Sequence, residues 1–188
     1  NLTIDQRAFK LYWMNVFFFY IGLLKDCPDV LDKIIQLPPS SEPERWLKII
    51  NMGNYFLAGY SSPYDVIKNG IEKIMIDASN LYQDAASGKS PSPFSALSRM
   101  HILCVVQYLM REGYSYDLFK RAIEDAVFSI EGGDYNEETK LYALFFLNVT
   151  YIELGEKQSF DFVLKSHAGK LPLDLSLSLR CESHDWKE

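Results

Sequence analysis

Two residues with chemical potential, His101 and Cys104, lie three positions apart in the stretch SRMHILCVVQYL. The apolar spacing of this stretch predicts a helix, so their side chains would be neighbours on one helical surface. A cysteine and a histidine in contact can act as nucleophile and base. Two neighbours on an apolar helix more often share packing, and we therefore keep a small helical enzyme that uses His101 as an alternative.

A second candidate pair, Cys181 and His184 in CESH, has the spacing of two metal ligands. A zinc site needs three or four protein ligands, and only the distant His167 remains to complete one. The sequence contains no HExxH, no P-loop and no GxGxxG motif. We expect a protein without metal or cofactor and without enzymatic activity, and keep catalysis through His184 as a further alternative.

Acidic and aromatic residues near predicted turns suggest binding instead. Carboxylates around one helix-to-helix turn could form a docking edge for a basic partner, although they are also typical of a solvated turn. Tyrosines near turns could contact the partner or pack between helices. The predicted partner-binding residues are Glu124, Asp125, Glu131, Asp134, Glu137, Glu138, Tyr60 and Tyr114.

The elements that would position these side chains are helices almost throughout. Caps, prolines and glycines mark their ends. The expected helices run from Asp5 to about Asp26, through PDVLDKIIQL from Pro28, from Ser41 (with capping-box spacing to Glu44) to Gly59, from Ser62-Pro63 to near Gly88, from Ser92-Pro93 to Gly113, from Ser115 to Gly132-Gly133, from Asn136 to Gly155, and around FDFVLKS.

A different pattern follows residue 170, where LPLDLSLSL places leucine at every second position. Alternation of this kind is typical of an extended strand. A helix and an extended segment lying across helices remain open as alternatives.

An internal repeat suggests how the helices are arranged. YDVIKNGIEKIMI (64–76) aligns with YDLFKRAIEDAVF (116–128), and each copy follows a Gly-Tyr-Ser turn. Repeated helical pairs bury one face against the next pair. The prediction is an all-α fold of stacked antiparallel helical hairpins with a possible short extended segment near the C-terminus.

Composition places these helices in a single globular domain, 1–188. The chain of 188 residues is 48% hydrophobic and carries a net charge of −6. An acidic chain repels phosphate backbones, so we expect a protein partner and no direct contact with nucleic acid. Three widely spaced cysteines predict free thiols in a reducing, cytoplasmic setting. The chain begins with Asn, which suggests that a native N-terminal segment precedes it.

The most apolar stretch is YWMNVFFFYIGLL (12–24), bracketed by Lys10 and Lys25. A membrane-spanning helix needs about 20 apolar residues, and a signal peptide needs a cleavage site that LLKDCPDV does not offer. We expect no membrane segment. A helix that is apolar on all sides is typically a central one, covered by neighbours on every face.

The order of these features resembles the all-helical bacterial polymorphic-toxin immunity proteins of group forty-nine. The resemblance rests on YWMNVFFFYIGLLKDCPDVLDKIIQLP (12–38), ERWLKIINMGNYFLAG, LFKRAIEDAV (118–127) and LYALFFLNVTYIELG. It departs after LFKRAIEDAV, where that family has a histidine and a Tyr-Trp pair and this chain has FSIEGGDY. The resemblance implies a cytoplasmic inhibitor that binds a cognate, basic toxin and has no chemistry of its own. A helical-repeat scaffold that binds peptide or protein partners is the alternative.

Overall fold

The computed structural model describes residue 4 and residues 7–89, 96–154 and 165–182. Within these ranges the chain is helical and contains no strand, so the predicted all-α fold is confirmed. The helices are α1 Leu11–Leu24, α2 Pro28–Gln36, α3 Glu42–Ala58, α4 Tyr64–Ala86, α5 Arg99–Tyr114, α6 Lys120–Gly132, α7 Glu137–Glu153 and α8 Leu173–Glu182, with 3-10 turns at Asp117–Phe119 and Ala168–Lys170.

Local sequence chemistry sets several helix ends as expected. Asn136 Oδ1 accepts a hydrogen bond from the Thr139 backbone N–H at 2.8 Å, which caps α7. Gly88 has a φ of +68°, the left-handed conformation in which glycine commonly follows a helix.

Several predicted helix starts are wrong: α1 begins at Leu11 instead of following Asp5, and α6 begins at Lys120 instead of following Ser115. Helix α5 begins at Arg99 rather than near Ser92-Pro93, and its cap is Ser98, whose Oγ accepts from the His101 N–H. At α3 the carboxylate of Glu44 accepts from the backbone N–H and hydroxyl of Ser40, at 2.9 and 2.6 Å, in place of the expected box with Ser41. The expected helix around FDFVLKS falls mostly on residues 155–164, outside the described part of the chain.

The central helix of the fold is α7. Its residues from Leu141 to Tyr151 are buried without interruption, and α4, α5 and α6 pack around it. The segment includes Asn148, only 2% exposed, so the surrounding helices enclose even its polar positions. The sequence LYALFFLNVTY is apolar on nearly every side, which suits a helix with neighbours all round.

Helix α1 is peripheral, which corrects the expectation that the stretch 12–24 forms the central helix. It packs mainly on α3 and buries Met14, Phe17 and Ile21. Its opposite side faces solvent, because no other described helix covers it. Among the described residues, no helix has the length and apolar character needed to cross a membrane.

Helix α4 packs on α3, α5 and α6, but α5 and α6 make little contact with each other, so the stacking of helical hairpins stays a prediction. Helix α3 contacts α4 and α5, and α4 contacts α6. The two copies of the proposed repeat meet directly, because the Tyr64 hydroxyl donates to Asp125 Oδ2 at 2.5 Å and the Arg121 guanidinium lies 4.5 Å from the Tyr64 ring centroid. A true sequence repeat stays a prediction.

The leucine-alternating segment is a helix. Residues Leu173–Glu182 form α8, one of the alternatives left open by the sequence, and the expected extended conformation is wrong for them. Tertiary contacts override the period-two pattern, which leaves Leu173 and Leu177 exposed while Leu175 is fully buried.

Candidate interaction surface

The residues suspected of catalysis do not assemble into a reactive site within the described part of the chain. His101 and Cys104 are both exposed on α5, not core-facing as their apolar helix suggested, and His101 Nδ1 lies 2.8 Å from Ser98 Oγ. His184 and the side chain of Cys181 lie outside the described residues. In the described ranges no group of three His, Cys, Asp or Glu side chains could hold a metal ion.

The third histidine, His167, joins two of the predicted partner-binding acids. Its Nε2 lies 3.0 Å from Glu131 Oε1, and its Nδ1 lies 3.1 Å from Glu137 Oε1. Lys170 Nζ lies 3.2 Å from the same oxygen of Glu137, and this hydrogen bond is the main cause that lowers the pKa of the Glu137 carboxyl. These two acids therefore anchor the chain around residue 167 to the α6–α7 turn.

Glu124 and Asp125 also have partners within the chain. The Tyr151 hydroxyl donates to Glu124 Oε1, and the Tyr64 hydroxyl donates to Asp125. Burial, together with the nearby Asp125 carboxylate, raises the pKa of Tyr64 to about 12. The two acids thus connect α6 to α7 and to α4.

The other two acids lie at the surface. Asp134 and Glu138 are exposed, and Glu138 is 3.9 Å from the Arg99 guanidinium. The six carboxylates are neighbours in sequence, but most of them are oriented by separate contacts inside the domain. The six carboxylates therefore do not form a single acidic docking edge that is free to bind a partner.

The two tyrosines differ sharply in position. Tyr60 is 53% exposed and available to a partner, whereas Tyr114 is fully buried. The Tyr114 hydroxyl donates to the Ile49 carbonyl oxygen at 2.6 Å. The expectation that Tyr114 contacts a partner is therefore corrected, because its side chain packs between α3 and α5.

A larger candidate surface, missed by the sequence analysis, is the outward face of α1. Phe19 is 77% exposed and Leu23 81% exposed. Large apolar side chains recur along this face, a pattern that marks interaction sites when the patch is contiguous. We call the following set the α1 face: Leu11, Tyr12, Phe19, Tyr20, Leu23 and Leu24.

A shallow groove runs along the α1 face. It encloses about 510 Å³ and is lined by Asn15, Phe18, Phe19, Gly22 and Leu23. No atom lies within 4 Å of the position that a Cβ of Gly22 would occupy, so the groove is open at that point. A groove of this shape and apolar lining suits the side chains of a partner helix.

The signal for this surface in the sequence is the apolar composition of residues 12–24. The same composition also predicts a helix buried on every side, so it does not distinguish an exposed apolar face from a buried one. The flanking Lys10 and Lys25 are exposed, so the α1 face is bounded by a cation at each end. An apolar centre with a charged rim is the usual anatomy of a protein–protein interface.

Comparison with known proteins adds a family. Residues 54–188 match the family described as NACHT C-terminal Helical domain 1. No curated protein and no solved structure matches the chain. The matched range spans α4 to α8 and the last residues of α3, whereas α1 and α2 precede it. Since the match covers most of the chain and the fold is helical, the chain belongs to the NACHT C-terminal Helical domain 1 family.

Proposed function

We propose that the chain is a non-enzymatic protein-interaction domain that packs against a NACHT module through the α1 face. The observation that carries the proposal is the exposed apolar surface around Phe19 and Leu23. The family description supports a NACHT module as the partner, because it names a C-terminal helical domain of NACHT proteins. Helix α1 precedes the matched residues, on the side of the chain where such a module would lie.

The energetics favour a contact within one protein. Burying a large apolar side chain contributes about 1.5–3 kcal/mol. Association of separate molecules costs an estimated 4–15 kcal/mol in lost freedom, which is comparable to the most that burial of the six side chains of the α1 face would supply, about 9–18 kcal/mol. A covalent link raises the effective concentration to the millimolar range for short linkers. The α1 face is therefore suited to a partner in the same polypeptide.

The experiment compares the isolated chain with a version that carries aspartate at Phe19 and Leu23. Binding to the separately purified NACHT module of the same protein is measured by calorimetry or biolayer interferometry. We expect the double variant to bind at least tenfold more weakly, since two charges would have to be desolvated at the contact.

The matched control is Phe128→Asp, because Phe128 is 63% exposed on α6, away from α1. This variant should bind like the parent chain. If Phe128→Asp weakens binding while the α1 variant does not, another surface makes the contact and the proposal fails.

Inhibition of a basic toxin stays a prediction. Its expected contact residues included Glu131 and Glu137, which bind His167 instead of facing outward freely. A one-to-one, salt-sensitive complex with a toxic basic protein would support it.

The absence of enzymatic activity is likewise part of the proposal. His101→Ala and His184→Ala should leave the function of the domain intact. A loss of function in either variant, with the fold preserved, would favour a helical enzyme.

A further inference from the structure

A buried carboxylate at the start of α8 is held by side chains from three other helices. The Tyr142 hydroxyl donates to Asp174 Oδ1 at 2.7 Å, and the Tyr82 hydroxyl donates to Oδ2. Arg99 Nε lies 3.5 Å from Oδ2, and the Leu175 N–H donates to Oδ1 at 2.9 Å. Asp174 is only 9% exposed, so its charge is compensated by these donors and hardly at all by water.

The two tyrosines that hold this carboxylate lie in the core, whereas Arg99 is half-exposed. Tyr82 lies on α4, Tyr142 on α7 and Arg99 at the start of α5, and the two tyrosine rings are 4.6 Å apart between centroids. Both tyrosines are fully buried, and burial together with the Asp174 carboxylate raises the pKa of each hydroxyl. They therefore remain donors over the physiological pH range, whichever carboxylate faces them.

Asp174 is ionised in this site, as expected of a carboxylate that accepts hydrogen bonds from several donors. Burial alone would raise the pKa of Asp174, but the hydrogen bonds from Tyr82, Tyr142 and the Leu175 N–H, together with the charge of Arg99, lower it. The site thus binds an ionised carboxylate.

Among the side chains of α8 that the structure describes, residues 173–178, two besides Asp174 are buried. Leu175 is fully buried, and the Ser178 hydroxyl lies 3.5 Å from Met100 Sδ. Leu173 is 75% exposed and Leu177 43% exposed, because leucines at every second position cannot share one helical face. An isolated helix of ten residues is marginal in water, so α8 depends on its contacts with the rest of the domain, those of Asp174 among them.

The interactions of the Asp174 carboxylate contribute more to the selectivity of this site for a helix than to its affinity. Desolvation of a buried ion pair offsets much of its Coulombic attraction, yet an unpaired buried charge is costly. A helix that brings a carboxylate to this point is accepted in one register, and a helix without one leaves two buried tyrosine hydroxyls without an acceptor. Removal of α8 rehydrates Asp174, which reduces the cost of opening.

We propose that Tyr82, Tyr142 and Arg99 form a receptor for a helix of a partner protein that carries an aspartate in its first turn, and that α8 is its displaceable occupant within the chain. Helix α8 then acts as a latch, a removable cover over the receptor, which such a partner helix replaces. The receptor is separate from the α1 face and does not depend on the proposed function.

The test uses the full chain and a labelled peptide with the sequence of residues 171–182, in wild-type and Asp174→Asn proteins. The Asp174→Asn chain should bind the peptide at least tenfold more tightly than the wild type, because its own α8 competes less well. A peptide with asparagine in place of its aspartate should bind at least tenfold more weakly. Adding Tyr82→Phe to the Asp174→Asn chain should weaken its binding of the wild-type peptide, because one donor to the aspartate is lost.

Amide hydrogen exchange distinguishes the release of α8 from unfolding of the core helices. In the Asp174→Asn chain, protection should fall in 173–182 and persist in α4 and α7, while a Ser176→Ala control keeps protection in all three. Equal peptide binding by the wild-type and Asp174→Asn chains, equal binding of the two peptides, or loss of protection throughout α4 and α7 would each overturn the proposal.

Discussion

Gly53 in α3 lies directly against the backbone of Gly113 in α5. A Cβ atom at Gly53 would stand 2.0 Å from the Gly113 carbonyl oxygen, closer than any side chain can approach. The neighbouring Tyr114 hydroxyl donates across the same junction to the Ile49 carbonyl oxygen at 2.6 Å. The two helices are thus in backbone contact, and a tyrosine fixes their relative position.

Gly53→Ala should separate α3 from α5 and lower the free energy of unfolding by about 1–3 kcal/mol or more, the usual cost of overpacking. Urea unfolding measures it. Gly22→Ala is the control, because Gly22 has nothing within 4 Å of its would-be Cβ; this helical position should gain about 0.5–1 kcal/mol. Equal effects at the two positions would contradict the close contact.

Phe17 and Phe19 test the two faces of α1. Phe17 is 3% exposed and Phe19 77% exposed on the same helix. Phe17→Ala should cost about 3–5 kcal/mol of unfolding free energy, because it leaves a cavity against the core. Phe19→Ala should stay within about 0.5 kcal/mol of the parent chain, as surface substitutions do. A large loss of thermal stability in the Phe19 variant would show that the outward face is covered in the isolated chain.

Tyr114→Phe separates a role in packing from a role in binding. The change removes one buried hydrogen bond to Ile49 and should lower the free energy of unfolding by about 1 kcal/mol. Because the side chain is fully buried, affinity for a partner should not change. Chemical denaturation and a binding isotherm on the same preparation measure the two effects. A weaker complex with unchanged stability would restore Tyr114 as a contact residue.

The Tyr64–Asp125 pair predicts a loss of stability in alkali. The pKa of Tyr64 is raised from 10.0 to about 12 in the folded state. A raised pKa means that the unfolded chain releases the proton first, so the stabilisation is complete below about pH 10 and is lost as the pH rises towards 12. Urea unfolding across this window should show a shallower decline for Tyr64→Phe than for the parent chain.

Asp125→Asn serves as the matched variant for that experiment. Loss of the carboxylate should lower the folded-state pKa of Tyr64 and also flatten the decline. In the Tyr64→Phe background the same substitution should add nothing to the slope. If neither variant changes how steeply the free energy of unfolding falls with pH, other titrating groups cause that fall.

Local signals predicted much of the fold, and the contacts between distant segments account for what they missed. Asn136 and Gly88 end their helices as expected, because capping depends on a few adjacent residues. Helices α1 and α7 both contain stretches that are apolar on most sides, yet only α7 is central. Composition shows that a helix can be buried on every side, and tertiary packing decides which one is.

The candidate sites, like the fold, were predictable only where the signal is local in sequence. Acids near Glu131 were grouped from their proximity in sequence, but their partners, such as Tyr64 and His167, come from remote positions that no local pattern reveals. Asp174 was identifiable in principle, since a lone carboxylate between leucines in LPLDLSLSL indicates a buried charge with specific partners.

The enclosed position of α7 also affects how the chain folds during synthesis. Helices α4, α5 and α6 are translated before α7, and their faces against it stay open to water until residues 137–153 leave the ribosome. At about 5–20 residues per second, this leaves an interval in which apolar surface is accessible to chaperones. A nascent chain terminated before α7 would keep that surface permanently, which makes such truncated products targets for aggregation and proteolysis.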